Sequence, residues 1–127
     1  MRHRRARRTA ARERASCRAY HREMMMRAKG RENETKVGEA LETLKENDYI
    51  VSYFVSIPNG EQDRRGIDAG LTTARGVEVN FQIKSSSRGV KQHLRKHPDI
   101  PCVNVHGCVT VREVAVLIRT QFELSQQ

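Results

Sequence analysis

Aromatic side chains are scarce in this chain: three tyrosines, three phenylalanines and no tryptophan, 5% of all residues. A protein that grips single-stranded nucleic acid by stacking bases on aromatic rings needs more, so that class has little support. Cysteine is equally sparse. Cys17, Cys102 and Cys108 form no C-x-x-C pair, and an odd count without a framework points to free thiols in a reducing compartment. No apolar run approaches the roughly 20 residues of a membrane span. The longest candidates, Tyr49–Ile57 and Val114–Ile118, have the size of a core strand and a core helix. No signal-peptide apolar region is present either, so the expected location is the cytoplasm, with no membrane partner.

Acidic residues are deficient in one region only. The 127 residues carry 24 Lys+Arg against 15 Asp+Glu, a net charge of +9. Residues 1–30 hold 11 of the basic residues and 2 of the acidic ones, which leaves 13 of each in residues 31–127. The chain therefore reads as an arginine-rich leader, 1–30, and a charge-balanced domain, 31–127. A domain of that size buries one modest core, which excludes a barrel enzyme of about 250 residues. The leader has too few large apolar residues to fold alone and is expected to be disordered or helical. Three readings stay open for it: a basic arm that binds phosphates in a salt-dependent way, an organellar transit peptide, or a mis-assigned start upstream of Met24-Met25-Met26.

Within the domain, Asn33 is expected to cap a helix over residues 34–47, because Val37, Ala40, Leu41 and Leu44 recur at i, i+3, i+4 and i+7. Asn47-Asp48 ends it. Tyr49–Ile57 is β-branched and aromatic and predicts a strand. Pro58-Asn59-Gly60 predicts a turn and Gly66–Thr72 a second strand, followed by a hairpin turn over Thr73–Gly76. Val77–Lys84 alternates cleanly, with Val77, Val79, Phe81 and Ile83 on one face and Glu78, Asn80, Gln82 and Lys84 on the other. Ser85–Ser87 opens a second helix that ends before Pro98. Cys102–His106 is a short fourth strand, Val111–Phe122 a last helix and Leu124–Gln127 a frayed tail. The expected class is α/β, in the order α-β-β-β-α-β-α.

Two neighbouring strands expose unusual polar residues. Asp68 lies between Ile67 and Ala69, while Gln82 and Lys84 share the polar face of the next strand. Those two are about 7 Å apart and point the same way, and a hairpin brings Asp68 beside them. A carboxylate, an amide oxygen and a nearby ammonium suit a hard divalent cation with a positioned water. The Ile83 backbone carbonyl would be a third oxygen, and Lys84 would orient the water or steady charge developing on phosphate. Glu78 shares the face of Gln82, but four strand residues span about 13 Å, too far to reach the same ion.

Asp68, thirteen intervening residues and Gln82-Ile83-Lys84 together resemble the PD-(D/E)XK nuclease superfamily, in the branch with Gln in place of the second acidic residue. The likeness extends to Glu34-Thr35-Lys36-Val37, Tyr49-Ile50-Val51-Ser52 and Pro58-Asn59-Gly60-Glu61, and covers about residues 33–88. That branch includes intron-encoded homing endonucleases. The resemblance implies a restriction-endonuclease-like core, a mixed four-stranded sheet flanked by helices, and cleavage of DNA phosphodiesters with Mg2+ or Mn2+. It places the metal-binding Asp on Asp68, the Gln on Gln82 and the Lys on Lys84. The superfamily also uses a Glu from the first helix. Glu34 lies about 70° from the centre of the apolar stripe and Glu39 about 150° away, so Glu34 is the first choice and Glu39 the second.

Ser85, Ser86, Ser87 and Arg88 follow the candidate strand, and their free N–H groups and hydroxyls suit a DNA phosphate. Lys91, Arg95 and Lys96 extend the positive charge, as do Arg64 and Arg65 in the loop before Asp68. His93, His97, Cys102, His106 and Cys108 invite a zinc reading, but their spacing is not that of a zinc site. The histidines are expected on the basic helix, with Cys102 packed against the sheet as a small hydrophobe. Tyr53, Phe54 and Phe81 are expected in the core. Cutting both strands of a duplex favours a homodimer. The alternatives to a nuclease are a non-catalytic nucleic-acid-binding module and a phage accessory protein with a degenerate nuclease fold.

Overall fold

The computed structural model describes residues 2–56, 60 and 65–126. The chain separates into two compact units, Met1–Arg31 and Glu32–Gln127. Helix α1 is assigned over Arg2–Glu46. Asn33 is therefore no cap. It sits inside the helix and is only 4% exposed. The stretch before it is rich in Ala, Arg, Glu and Met, contains no proline and carries a single glycine, Gly30. Those residues favour helix, so nothing forces the chain out of helical geometry where a cap would need it.

The second unit is mixed α/β. Strands β1 (Ile50–Val55), β2 (Ala69–Thr73), β3 (Glu78–Lys84) and β4 (Cys102–Asn104) form one sheet in that order. The first two pairings are antiparallel and β3–β4 is parallel. A parallel neighbour needs a crossover, which α2 (Ser87–Lys96) provides. Helix α3 (Val111–Gln121) closes the order, and among the described residues there are three helices.

One face of the sheet holds the core. Val37, Ala40, Leu41 and Leu44 of α1 pack with Ile50, Ala69, Leu71, Phe81, Ile83, Val103 and Val105 from the sheet side and with Val114, Ala115 and Ile118 of α3. The alternation expected over 77–84 holds at Phe81 and Ile83, both buried, whereas Val77 lies outside the strand and is exposed. Tyr53 packs against the core, but Phe54 does not join it. Its ring lies over Gly70 on the opposite face, where a Cβ would come within 2.3 Å of it.

Both core-side helices end in the same way. After α1, Asp48 adopts φ 63°, and Tyr49 N–H returns to Leu44 O at 2.9 Å. After α3, Glu123 adopts φ 50° and Leu124 N–H returns to Arg119 O at 2.9 Å. These left-handed caps satisfy terminal carbonyls and fold the next apolar residue back. Leu124 is consequently 9% exposed and part of the core, not a frayed tail. The start of α3 is fixed by a capping box between Thr110 and Glu113.

The predicted strand ends differ by a few residues. Tyr49 lies in a bend ahead of β1, Gly66 in a turn at φ 82°, and Asp68 one residue before β2. The Pro58-Asn59 turn, Glu61 and Arg64 lie outside the described residues. No helix among the described residues is long and apolar enough to cross a membrane.

Candidate functional site

Asp68 is held from both sides although it belongs to no assigned strand. Its N–H donates to Phe81 O (2.9 Å), and its carbonyl accepts from Ser56 N–H (2.7 Å). The last paired residues of β2 and β3 are Ala69 and Phe81, so Asp68 stands one step beyond, opposite Gln82. On the other edge of β3, Gln82 N–H donates to Pro101 O and Val105 N–H donates to Lys84 O. Residues 82 and 84 thus address β4, and Ile83 addresses the β2 side, where pairing has ended. Its N–H would be orphaned there. It donates instead to Asp68 Oδ2 at 2.8 Å. The N–H and carbonyl of one extended residue point to the same edge, so the Ile83 carbonyl opens on the side where the carboxylate stands.

The alternation of β3 and β4 fixes the faces. Ile83 and Val103 are buried in the core. Gln82, Lys84, Cys102 and Asn104 therefore lie on the opposite face, with Gln82 paired to Cys102 and Lys84 to Asn104. Helix α2 covers this face. Ser86 caps it by accepting from Gly89 N–H at 3.0 Å. Gly89 matters for the lysine: a Cβ there would meet Lys84 Cδ at 3.4 Å, so the lysine stem runs beneath the first turn of α2.

Charge couples these side chains. Burial pushes the Cys102 thiol above its ordinary value, the Lys84 ammonium opposes that shift, and the Asp68 carboxylate adds to it. Asp68 itself is only 7% exposed. Among the described residues, two buried side-chain oxygens have no hydrogen-bond partner, Gln82 Oε1 and Asn104 Oδ1. Both lie on this face. A buried carbonyl oxygen without a donor is costly, and each of these two retains the capacity to accept from a water or to ligate a cation.

Helix α1 places its acidic residues relative to this centre. A Cβ placed on Gly38 would lie 3.6 Å from Val55 Cγ2, and the Tyr53 hydroxyl donates to Glu42 Oε2 at 2.6 Å. The helix thus runs against the direction of β1, and Glu34, one turn before Gly38, falls towards the end of the sheet where Ser56 meets Asp68. It is half-buried, whereas Glu39 is exposed.

Of the basic residues expected near phosphate, Arg65, Arg88 and Lys91 are exposed, as are Ser86 and Ser87, with Ser85 half-buried. The Ser86 hydroxyl already serves the helix cap. His93 lies on the basic helix as expected, but faces inward: it is 5% exposed, and its Nε2 lies 2.9 Å from Ile100 O, tying α2 to the segment before β4. Its ring lies 5.4 Å from that of His97, but no group of three or more His, Cys, Asp or Glu among the described residues is placed to hold a metal ion. Cys102 packs in β4 on the face of Gln82 and not in the core. Sequence reasoning missed Cys102 and Asn104 as neighbours of Gln82 and Lys84, since only the β3–β4 register reveals them.

Comparison with family models, with curated proteins and with solved structures found no match to this chain.

The donor set fits a hard cation. It offers one carboxylate (Asp68), one amide oxygen without a partner (Gln82) and one backbone carbonyl (Ile83), all oxygens of the kind Mg2+ and Mn2+ prefer.

Proposed function

We propose that this chain is a divalent-metal-dependent DNA endonuclease of PD-(D/E)XK type with a restriction-endonuclease-like core. The observation that carries the reading is the meeting of Asp68 with Ile83 N–H at the open end of β2, beside the partnerless Gln82 Oε1. Asp68, Gln82 and the Ile83 carbonyl would hold Mg2+ or Mn2+, with Glu34 added from α1, and the cation would supply Lewis-acid stabilisation of charge on the phosphate and activation of the nucleophile.

The chain's own residues do the rest. Asp68 is fixed by the Ile83 N–H, so its carboxylate is pre-oriented before any ligand arrives. Lys84, with its stem packed under α2, presents an ammonium on the same face as Gln82, where it orients the attacking water and offsets charge on the phosphate. Exposed Arg65, Arg88 and Lys91, with the N–H groups at the start of α2, hold the DNA backbone. The basic 1–30 segment adds a sequence-independent, salt-sensitive contact. Duplex cleavage then calls for two copies, which we propose as a homodimer.

The test is nicking of supercoiled plasmid, linear duplex and a four-way DNA junction by the purified chain. In Mg2+ or Mn2+ the parent cuts at least one of these and chelator stops it. Lys84→Ala retains its circular dichroism spectrum and loses cutting. Equal cutting by parent and Lys84→Ala, or cutting that survives chelator, overturns the proposal. DNA binding without cleavage in any metal favours the non-catalytic binding module instead.

A further inference from the structure

We propose that Asn104 is a positioning residue of this site, its side-chain oxygen accepting a hydrogen bond from the Lys84 ammonium through one water. The inference rests on the nuclease reading for its purpose, but not for its geometry. Lys84 and Asn104 are paired across the parallel β3–β4 ladder, with strands about 4.8 Å apart. Val103 and Val105 are buried in the core, which turns Asn104 to the opposite face, shared with Lys84. There Asn104 Oδ1 is buried and accepts nothing.

The supply of donors decides what that oxygen serves. A lysine ammonium carries three N–H donors and no acceptor, and among the described residues no side chain or carbonyl accepts from the Lys84 ammonium. The Lys84 stem is already steered by the first turn of α2 beside Gly89. An acceptor at position 104 fixes the remaining freedom, which is where the ammonium ends. Gln82 Oε1, the other partnerless buried oxygen, is two residues away on the same face and is assigned to the cation. The two orphaned oxygens thus divide the work: Gln82 for the metal, Asn104 for the lysine. A short polar residue with a carbonyl is required at 104, and an apolar one of similar size, such as Leu, keeps the packing while removing the acceptor.

Two full-length variants test this, Asn104→Leu and Asn104→Asp. Asn104→Leu keeps the circular dichroism spectrum of the parent and melts somewhat below it, since the acceptor that serves the Lys84 ammonium has been removed. Its plasmid nicking falls at least tenfold in kcat with KM for DNA unchanged, and Asn104→Asp, which restores an acceptor oxygen, recovers most of the rate. In the 15N-labelled chain the side-chain ammonium resonance of Lys84, visible where a hydrogen bond slows proton exchange, disappears in Asn104→Leu and returns in Asn104→Asp. A parent that shows this resonance but cuts no DNA overturns the nuclease reading and leaves the Asn104–Lys84 contact standing. A Lys84 resonance absent from the parent, or unchanged in Asn104→Leu, overturns the inference whatever the nicking shows. Should Asn104→Leu fail to fold, Asn104→Asp decides alone, and a kcat more than tenfold below the parent contradicts the assignment.

Discussion

Replacing Asp68 separates two roles that one carboxylate performs. Its Oδ2 accepts from the Ile83 N–H at 2.8 Å, at a point where the sheet ladder no longer supplies an acceptor. Asp68→Ala leaves that N–H unpaired beside the core. A buried donor left unsatisfied costs about 1–3 kcal/mol, so a loss of about 2 kcal/mol is expected. The folded unit, Glu32–Gln127, has 96 residues, and in domains of that size 1 kcal/mol moves the melting temperature by roughly 4–8 °C. Asp68→Ala should therefore melt about 10 °C below the parent. Asp68→Asn keeps an oxygen at the same distance and trades a charged acceptor for a neutral one, so it should lose about 1 kcal/mol. The backbone bonds of residue 68, to Phe81 and Ser56, are untouched by either change. Differential scanning calorimetry in the presence of chelator measures both, free of any metal contribution. The reasoning is refuted if Asp68→Ala costs under about 0.5 kcal/mol, or if Ala and Asn cost the same.

Two further expectations follow from charge. Cys102 is held protonated by burial, with Lys84 opposing and Asp68 reinforcing, so at pH 7–8 iodoacetamide should modify it more slowly than exposed Cys17 and Cys108. Lys84→Ala should slow Cys102 further and Asp68→Asn should speed it, read by peptide mass spectrometry; no change in either variant removes Cys102 from the site. The Tyr53 hydroxyl donates to Glu42, and this raises its pKa above the ordinary 10.0. The stabilisation is complete below the unfolded phenol pKa and is lost as pH rises through the folded one, so it fades only in alkali. Glu42→Gln should move the Tyr53 titration at 295 nm towards 10.0, and an unmoved titration counts against the contact.

The sequence carried the element order and the polar face of β3, because periodicity reports directly on which side chains are buried. Gln82 and Lys84 were legible for that reason, and Asp68 because its spacing to them fits one hairpin. Three features were not legible. Asn33 has the chemistry of a cap, yet helix-forming residues upstream leave no break for it to cap. Leu124 follows a helix with polar neighbours, and only the left-handed turn at Glu123 returns it to the core. Cys102 and Asn104 became neighbours of Gln82 and Lys84 through a parallel pairing across α2, whose register no local pattern encodes. Of the candidate site, the antiparallel half joined by a short turn was thus legible as a juxtaposition of side chains, and the half assembled by a crossover was not. The choice between Glu34 and Glu39 rested on helical phase and on the resemblance of Glu34-Thr35-Lys36-Val37, and the exposure of Glu39 against the half-burial of Glu34 is what that phase dictates.

The most direct measurement of the central claim is the binding of Mn2+ itself, counted by electron paramagnetic resonance of free ion in titrations of the parent, Asp68→Asn and Gln82→Leu. The account predicts one ion bound per chain in the parent and a loss of that site in both variants while each stays folded. Binding of the same strength in all three proteins, or none in the parent with DNA present, contradicts it.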